Sequence, residues 1–414
     1  MHRNVRVEID TAAIAQNVKN VVSTFDAYDY YIGVVKGNAY GHGMGIVKTF
    51  IENGINYIGV STLDEALEVR ALHPDIPILC IQPLDLEYLS LCLENNITIT
   101  LSNYSYGKQL LDLLALAKNE KHTLKVHLKL NTGFNRLGIS SKEQFEELYD
   151  ALMAHPSVEL EGLFTHLATA GVLDSIYDEQ IARFGELTHT RDISKIKIVH
   201  IARSSTLEFH DKIEGVNGVR VGLLLYGINQ TFRDYRGLKG KLRSLKDARI
   251  KKKLALSPTR ASSELRLKTG FALKSGIIEI NPIKQGELVG YGGGARAGKD
   301  GFVAVCPLGY SDGLSLKYQG SDVLINNKRY PILGVINMCL ITILVDEQVS
   351  LADEVTLLGE GIGFKETARK LEVTPYVAMS SIAKDIPRVY VAHSSDDSIA
   401  GSTSRISSDS TKEH

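Results

Sequence analysis

Between residues 30 and 227 the chain repeats one pattern eight times: a short apolar run, then a segment with helical spacing. The runs are "YYIGVVK" (30–36), "YIGVS" (57–61), "PILCIQ" (77–82), "ITITLS" (97–102), "KVHLKLN" (125–131), "VELEGLFTH" (158–166), "KIVHIA" (197–202) and "VRVGLLLYG" (219–227). Segments such as "YGKQLLDLLALAKNEK" and "KEQFEELYDALMAH" separate them, with apolar residues three and four apart. Eight such units predict an α/β fold built on a closed parallel (β/α)8 TIM barrel, in which each strand is buried on both faces. An open doubly wound sheet would have fewer strands and a G-x-G-x-x-G turn after the first; no such turn follows "GVVK". Ahead of the barrel, "TAAIAQNVKNVVSTF" reads as a helix capped by Asp10 or Thr11. The strand-like "VRVEID" before it is then spare and available to a second domain.

At 414 residues the chain exceeds one barrel. The sequence predicts a barrel domain over 1–237, a mainly β domain over 238–393 and a disordered tail over 394–414. The tail, rich in serine and aspartate, holds too few apolar residues to fold. In the second domain, "FALKSGIIEI", "GELVGY", "GFVAVCPLG", "SDVLINNKRYPILGVI", "LITILVD" and "DEVTLLG" are punctuated by turn residues, as in a small all-β unit. A short helix, "TARKLEVTPYVAMSSIA", and a strand, "PRVYVAH", close it. The stretch that opens it, 238–260, is basic and reads as a solvated connector, because no aromatic residues interleave with its charges.

The 47 basic and 48 acidic residues give a net charge of −1, which favours neither nucleic acid nor an anionic membrane as partner. No apolar run reaches membrane-spanning length and no apolar leader opens the chain, so the cytoplasm is expected. Cys80, Cys92, Cys306 and Cys339 lack metal-site or disulfide-framework spacing and read as four small buried hydrophobes. No metal is expected.

Barrel active sites lie at the carboxyl ends of the strands. Here those ends carry Lys36 and Tyr40, Lys129 and Arg136, His166, His200 with Ser204, and Arg220 with the "GLLLYG" run. A lysine ending an apolar strand faces either solvent or a bound group. Two lysines and two arginines around one mouth imply an anionic ligand, a phosphate or a carboxylate. Crowding by cations and loss of water lower a lysine's pKa and let it condense with an aldehyde. An aldehyde cofactor with a phosphate tail would use all of these parts.

"VVKGNAYGHG" resembles the cofactor-lysine signature of the alanine racemases, fold-type III pyridoxal phosphate (PLP) enzymes, which usually have alanine in place of Gly37. "VHLKLNTGFNRLGI", "GLFTHLATA", "VHIARSS", "GVRVGLLLYG", "PLGYSDGL" and "TPYVAM…IPRVY" resemble further segments of that family, in its order, across residues 5–393. The resemblance implies a homodimer that interconverts L- and D-alanine for peptidoglycan. Its two bases would be Lys36, which would also hold PLP covalently, and Tyr310 of the partner subunit. It further implies cofactor contacts from Tyr40, His166, His200, Ser204, Arg220, Gly222, Leu223 and Tyr376. Arg136 and the backbone amide of Met338 would receive the substrate carboxylate, Tyr291 would line the entrance, and Lys129 would be carbamylated. An arginine at the pyridine nitrogen favours a racemase over the related decarboxylases, because a guanidinium yields no proton to the ring.

The chain departs from that family in "GVINMCL", where Val335, Cys339 and Leu340 stand for its usual arginine, aspartate and glutamine. Asn131 replaces an aspartate and Arg203 an asparagine. These changes bear on substrate range, so a serine or broad-specificity amino-acid racemase is the alternative. A non-catalytic PLP-binding protein is a third reading, and the β domain with its "GYSDG" argues against it.

Overall fold

A computed structural model describes residues 3–116, 123–169, 175–229 and 265–392, together with Leu242 and Leu245. The expected Ser/Asp-rich tail, and all of the basic connector but those two leucines, lie outside the described residues.

Strand β1 (Val5–Asp10) is followed by helix Thr11–Thr24, whose first turn is capped as expected: the Asp10 carboxylate accepts the Ala13 N–H at 3.0 Å. Ile14, Val18 and Val21, spaced four and three residues apart, put one face of this helix into the core. Then β2 (Tyr30–Val34), β3 (Tyr57–Val60), β4 (Ile78–Cys80), β5 (Ile97–Leu101), β6 (Leu124–Lys129), β7 (Val158–Phe164), β8 (Ile198–Arg203) and β9 (Gly218–Val221) close into a barrel. Every neighbouring pair, including the closing β2–β9 pair, is parallel. The eight apolar runs are the eight strands. Ile32, Tyr57, Leu79 and Ile198 form a cluster of their own, facing the barrel interior.

Two runs end sooner than their sequence suggests. "YYIGVVK" stops being a strand at Val34 and "VRVGLLLYG" at Val221, because Gly33↔Val221 is the last pair joining β2 to β9. Past that point both chains turn across the mouth of the barrel, and both carry candidate site residues there.

The second region contains β10 (Phe271–Gly276), β11 (Glu279–Ile283), β12 (Gly301–Cys306), β13 (Asp322–Ile325), β14 (Lys328–Pro331), β15 (Ile341–Val345), β16 (Glu354–Leu358) and β17 (Arg388–Val391). One sheet runs β14-β13-β16-β10-β1-β17 and a smaller one β11-β12-β15. The spare strand β1 is therefore interior to the larger sheet, antiparallel to β10 and parallel to β17. Its side chains alternate between buried Val5, Val7 and Ile9 and half-buried Arg6, Glu8 and Asp10. "GELVGY" forms no strand; only Leu288 bridges, to Arg296. The single short helix expected near the end is two, Phe364–Leu371 and Pro375–Ser380. They are broken where Glu372 takes a left-handed φ of 57° and Pro375 cannot prolong a preceding helix.

Candidate functional site

Lys36 does not simply end β2. It opens one turn of left-handed backbone in which Gly37, Asn38, Ala39 and Tyr40 have φ of 63°, 54°, 51° and 53°. Left-handed backbone costs a residue with a Cβ about 1–2 kcal/mol, so three such residues in a row must be held by their surroundings. Glu65, on helix Leu63–Leu72, does much of this. One carboxylate oxygen accepts the Gly37 and Asn38 N–H groups at 2.6 and 3.3 Å, and the other accepts Ser61 N–H at 2.9 Å. From the second region, Arg388 Nε donates to Gly41 O at 2.9 Å and the Tyr390 hydroxyl to His42 O at 3.0 Å. Gly41 itself has no room for a side chain, because a Cβ would come within 2.3 Å of Met379 O.

The turn presents Lys36 to a ring of cations. Its amine keeps a solvent-facing side, yet loss of water, then Arg136 and Arg220, lower its pKa, opposed by Glu65. Lys129, at the end of β6, is only 3% exposed; dehydration, then Arg220, Arg136 and Lys36, push it down to about 8. Its amine sits 5.4 Å from the Phe164 ring centre. His166 is lowered to about 2, by burial and then by Arg220, Arg203, Arg136 and Lys129, so it is neutral. Arg136 stacks on Phe134 at 4.4 Å, and Phe134 meets His166 edge-on. The loop that carries Arg136 is shaped by Asn131, whose side-chain oxygen accepts the Gly133 and Asn135 N–H groups at 3.1 and 3.0 Å. An amide oxygen suffices for that, so losing the aspartate's charge need not disturb the loop.

Beside the ring lies a cradle of neutral donors. Ser204 Oγ accepts the Gly222 N–H at 3.0 Å, and a Cβ on Gly222 would stand 3.0 Å from the Tyr40 hydroxyl. Buried Leu223 follows in the same turn. Tyr40 is pushed up to about 12 by burial first and then by Tyr376, which enters from helix Pro375–Ser380. A ring of cations next to such a cradle is built for a ligand that is anionic at two ends.

Beneath the mouth a string of polar side chains runs down the barrel interior. Arg220 Nη1 donates to His200 Nδ1 at 2.7 Å, and His200 Nε2 lies 2.8 Å from His127 Nδ1. His127 Nε2 lies 3.2 Å from Glu161, which also accepts from Tyr57 at 2.7 Å and Lys197 at 3.1 Å. Arginine has no lone pair to offer, so His200 Nδ1 must accept, and both imidazoles carry their proton on Nε2. The string therefore runs donor to acceptor from Arg220 to the Glu161 carboxylate. Burial works against that carboxylate's charge, but the donors from His127, Tyr57 and Lys197 hold it well below the usual range. Gly162 makes the space, since a Cβ there would meet the His127 ring at 2.4 Å. Arg220 spends its other terminal nitrogen on Thr165 O and Ile201 O, at 2.8 and 3.2 Å. Its Nε has no acceptor among the described residues. Burial, then Arg203, lowers Arg220 to about 9, which still leaves it charged at neutral pH.

Buried neutral histidines make acid costly. His42 is pushed down to about 3 and His127 and His200 are lowered as well, in each case first by burial. The unfolded chain binds protons on all three below about pH 6.5 while the folded chain does not, so stability is level above that pH and falls beneath it. The limiting slope is about 1.4 kcal/mol per pH unit for each histidine. Thermal melts are expected to show Tm dropping by about 5 °C from pH 6.5 to 5.5; a Tm level across that interval would contradict neutral burial.

Of the second region's candidates, Tyr376 joins the barrel mouth, whereas Tyr310 does not meet it within one chain. Tyr310 is 45% exposed and, among the described residues, shares no hydrogen bond or ring contact with Lys36, Arg136 or His166. Its loop is locked to that of Met338: Tyr310 N–H bonds Asn337 O and Ser311 N–H bonds Met338 O, both at 3.0 Å. A buried Asp312 fixes the turn from below, accepting Gly309 N–H at 2.7 Å and the Arg3 guanidinium at 2.6 Å. Met338 is exposed beside it, and Tyr291 and Leu340 are exposed as well. Val335 is half-buried, and its backbone faces the Tyr291 loop 3.9 Å from where a Gly290 Cβ would stand. Cys339 corrects the expectation of four buried thiols. Cys80, Cys92 and Cys306 are buried, but the tight turn 337–340 projects from the sheet and leaves Cys339 exposed, 3.5 Å from Ser311 Oγ.

Sequence reasoning missed Glu65, Tyr57, His127 and Glu161. The available signal was polar residues inside strands buried on both faces, His127 in "KVHLKLN" and Glu161 in "VELEGLF".

Residues 9–230 match the family described as alanine racemase, N-terminal domain, and residues 271–390 its C-terminal domain. The alanine racemase of Streptococcus gordonii is 31% identical over 94% of this chain and 98% of its own length. The crystal structure of alanine racemase from E. faecalis superposes with a TM-score of 0.81 at 29% identity, covering 94% of this chain and 99% of that one. A histidine racemase from Leuconostoc mesenteroides subsp. sake also superposes at 0.81, with 27% identity and the same coverage. With both halves matched in order along nearly the whole chain, this protein belongs to the alanine racemase family.

Proposed function

We propose that the chain is a PLP-dependent racemase interconverting L- and D-alanine, which would supply D-alanine to peptidoglycan. The observation that carries this reading is the convergence on one barrel mouth of a lysine with a lowered pKa, a charged arginine braced by His200, and a cradle of neutral donors.

PLP fits the residues present. Its aldehyde matches the depressed amine of Lys36, and its phosphate matches the cradle of Tyr40, Ser204, Gly222, Leu223 and Tyr376. Its ring nitrogen matches the unused Nε–H of Arg220. When bound, the cofactor would supply a conjugated ring that makes the Cα–H of an attached amino acid acidic. The protein's share is orientation and proton transfer. The Arg220–His200–His127–Glu161 string holds the guanidinium in place, and a guanidinium there would offer the ring nitrogen a hydrogen bond and no proton. That would weaken the ring as an electron sink and disfavour side reactions. Arg136 and the Met338 N–H would hold the substrate carboxylate, and Tyr291 would line the entrance.

Inversion needs a base on each face of Cα. Lys36 Nζ serves one face, with a pKa already lowered toward working pH. Tyr310 of the partner subunit serves the other. The exposure of Tyr310, its lack of contact among the described residues with Lys36, Arg136 or His166 in its own chain, and the exposed apolar side chains of Tyr291, Met338 and Leu340 support a homodimer with shared sites. Lys129, buried among cations and lowered toward neutral, is a suitable amine for carbamylation, which would give Arg136 a negative partner.

A second reading is a broader substrate range. It is favoured by the loss of both charges at Val335 and Cys339 near the entrance, and by the likeness to a histidine racemase. The deciding experiment incubates the PLP-loaded chain separately with L-alanine, L-serine and L-histidine and follows enantiomers by chiral chromatography. D-alanine is expected to form fastest. Faster inversion of serine or histidine would select the second reading, and inversion of none would reject the racemase.

A further inference from the structure

Arg203 ends β8, beside the barrel mouth but outside the Arg220–Glu161 string. Among the described residues its Nε is buried without a hydrogen-bond partner, and its Nη2 reaches only Ala168 O, at 3.4 Å. Among the described residues no carboxylate pairs with it. Its electrostatic neighbours are instead Tyr376, which favours its charge, and Arg220, which it repels. A largely buried cation facing another cation is costly, and a fold keeps it where an anion completes the site.

The adjoining anion-binding geometry is the cradle. Ser204 is the next residue in the chain, and Tyr376 belongs to both neighbourhoods. Every donor there is neutral: two phenols, a hydroxyl and backbone amides. A phosphate monoester brings about −1.5 to −2 charges near neutral pH, which hydrogen bonds from neutral groups do not offset. We propose that Arg203 is the counter-charge for the phosphate tail of the cofactor, paired with it beside Tyr376. The inference rests on the PLP reading above. It also relieves the mutual repulsion of Arg203 and Arg220, leaving the latter's charge for the pyridine nitrogen.

The test separates phosphate from the rest of the ligand. The full chain, stripped of cofactor, is titrated with PLP and with pyridoxal, which lacks the phosphate, in the wild type, Arg203→Asn and Arg203→Lys. Asparagine is the residue the family usually carries here, so that variant should fold. The wild type should strongly prefer PLP. Arg203→Asn should weaken PLP by about tenfold or more, the scale of a lost charge-assisted hydrogen bond, and leave pyridoxal unchanged. Arg203→Lys should keep most of the preference. An unchanged PLP-to-pyridoxal ratio in Arg203→Asn, or equal weakening of both ligands, overturns the inference. Inorganic phosphate, added as competitor, should protect against PLP binding in the wild type more than in Arg203→Asn; equal competition also counts against it. If the wild type forms no lysine-bound PLP absorbance at all, the cofactor reading itself fails, which is a different result from a wild type that binds PLP and a variant that binds it equally well.

Discussion

Lys36→Ala is expected to abolish turnover, by about 10⁴-fold or more, and to remove the absorbance band of lysine-bound cofactor. Two functions disappear together: the covalent anchor and the base on one face of Cα, and a general base alone is worth about 10²–10⁴-fold. The fold should survive. Lys36 precedes the left-handed turn and has no positive φ of its own, and the Glu65 contacts that hold the turn are made to the backbone of Gly37 and Asn38. Far-ultraviolet circular dichroism of the variant should match the parent. Retention of the absorbance band would mean that another amine, Lys129 foremost, carries the aldehyde.

Tyr310→Phe is expected to lower kcat for racemisation by about 10²–10⁴-fold while leaving the cofactor spectrum intact. The change removes only a hydroxyl, on a ring half open to solvent, and leaves the backbone bonds to the Met338 loop in place. Its signature lies in isotope exchange. In D₂O, Lys36 should still wash solvent deuterium into Cα of one enantiomer, while inversion to the other collapses. A variant that racemises at the parental rate would reject Tyr310 as a base. One that loses exchange and inversion equally, for both enantiomers, would make the tyrosine a positioning residue.

Much of this arrangement was legible because barrel topology ties strand ends to function. Once eight runs were counted, Lys36, Lys129, His200 and Arg220 fell on one rim. The polar string below the rim was not, because His127 and Glu161 sit within strands where the expectation is apolar, and only three-dimensional closure brings them together. Glu65 was hidden for a different reason. It is an exposed-looking acid on a helix, and its role depends on a left-handed turn that no periodicity announces. The break at Glu372 was missed because a helical apolar pattern continues across it, and local backbone overrode that pattern. Cys339 was misjudged because composition speaks of cysteines in general, while its exposure follows from one tight turn.

The place of β1 has a consequence for how the chain is made. Its partners β10 and β17 lie more than 260 and 380 residues further along, at Phe271–Gly276 and Arg388–Val391. Strand β1 is thus made well before either partner, and must wait as an open edge while the barrel forms behind it. Such long-range closure slows folding. A fragment ending after the barrel would keep that edge bare on both sides, an invitation to intermolecular pairing. The halves recognised as separate by homology are, for the purpose of assembly, stitched into one unit by their first strand.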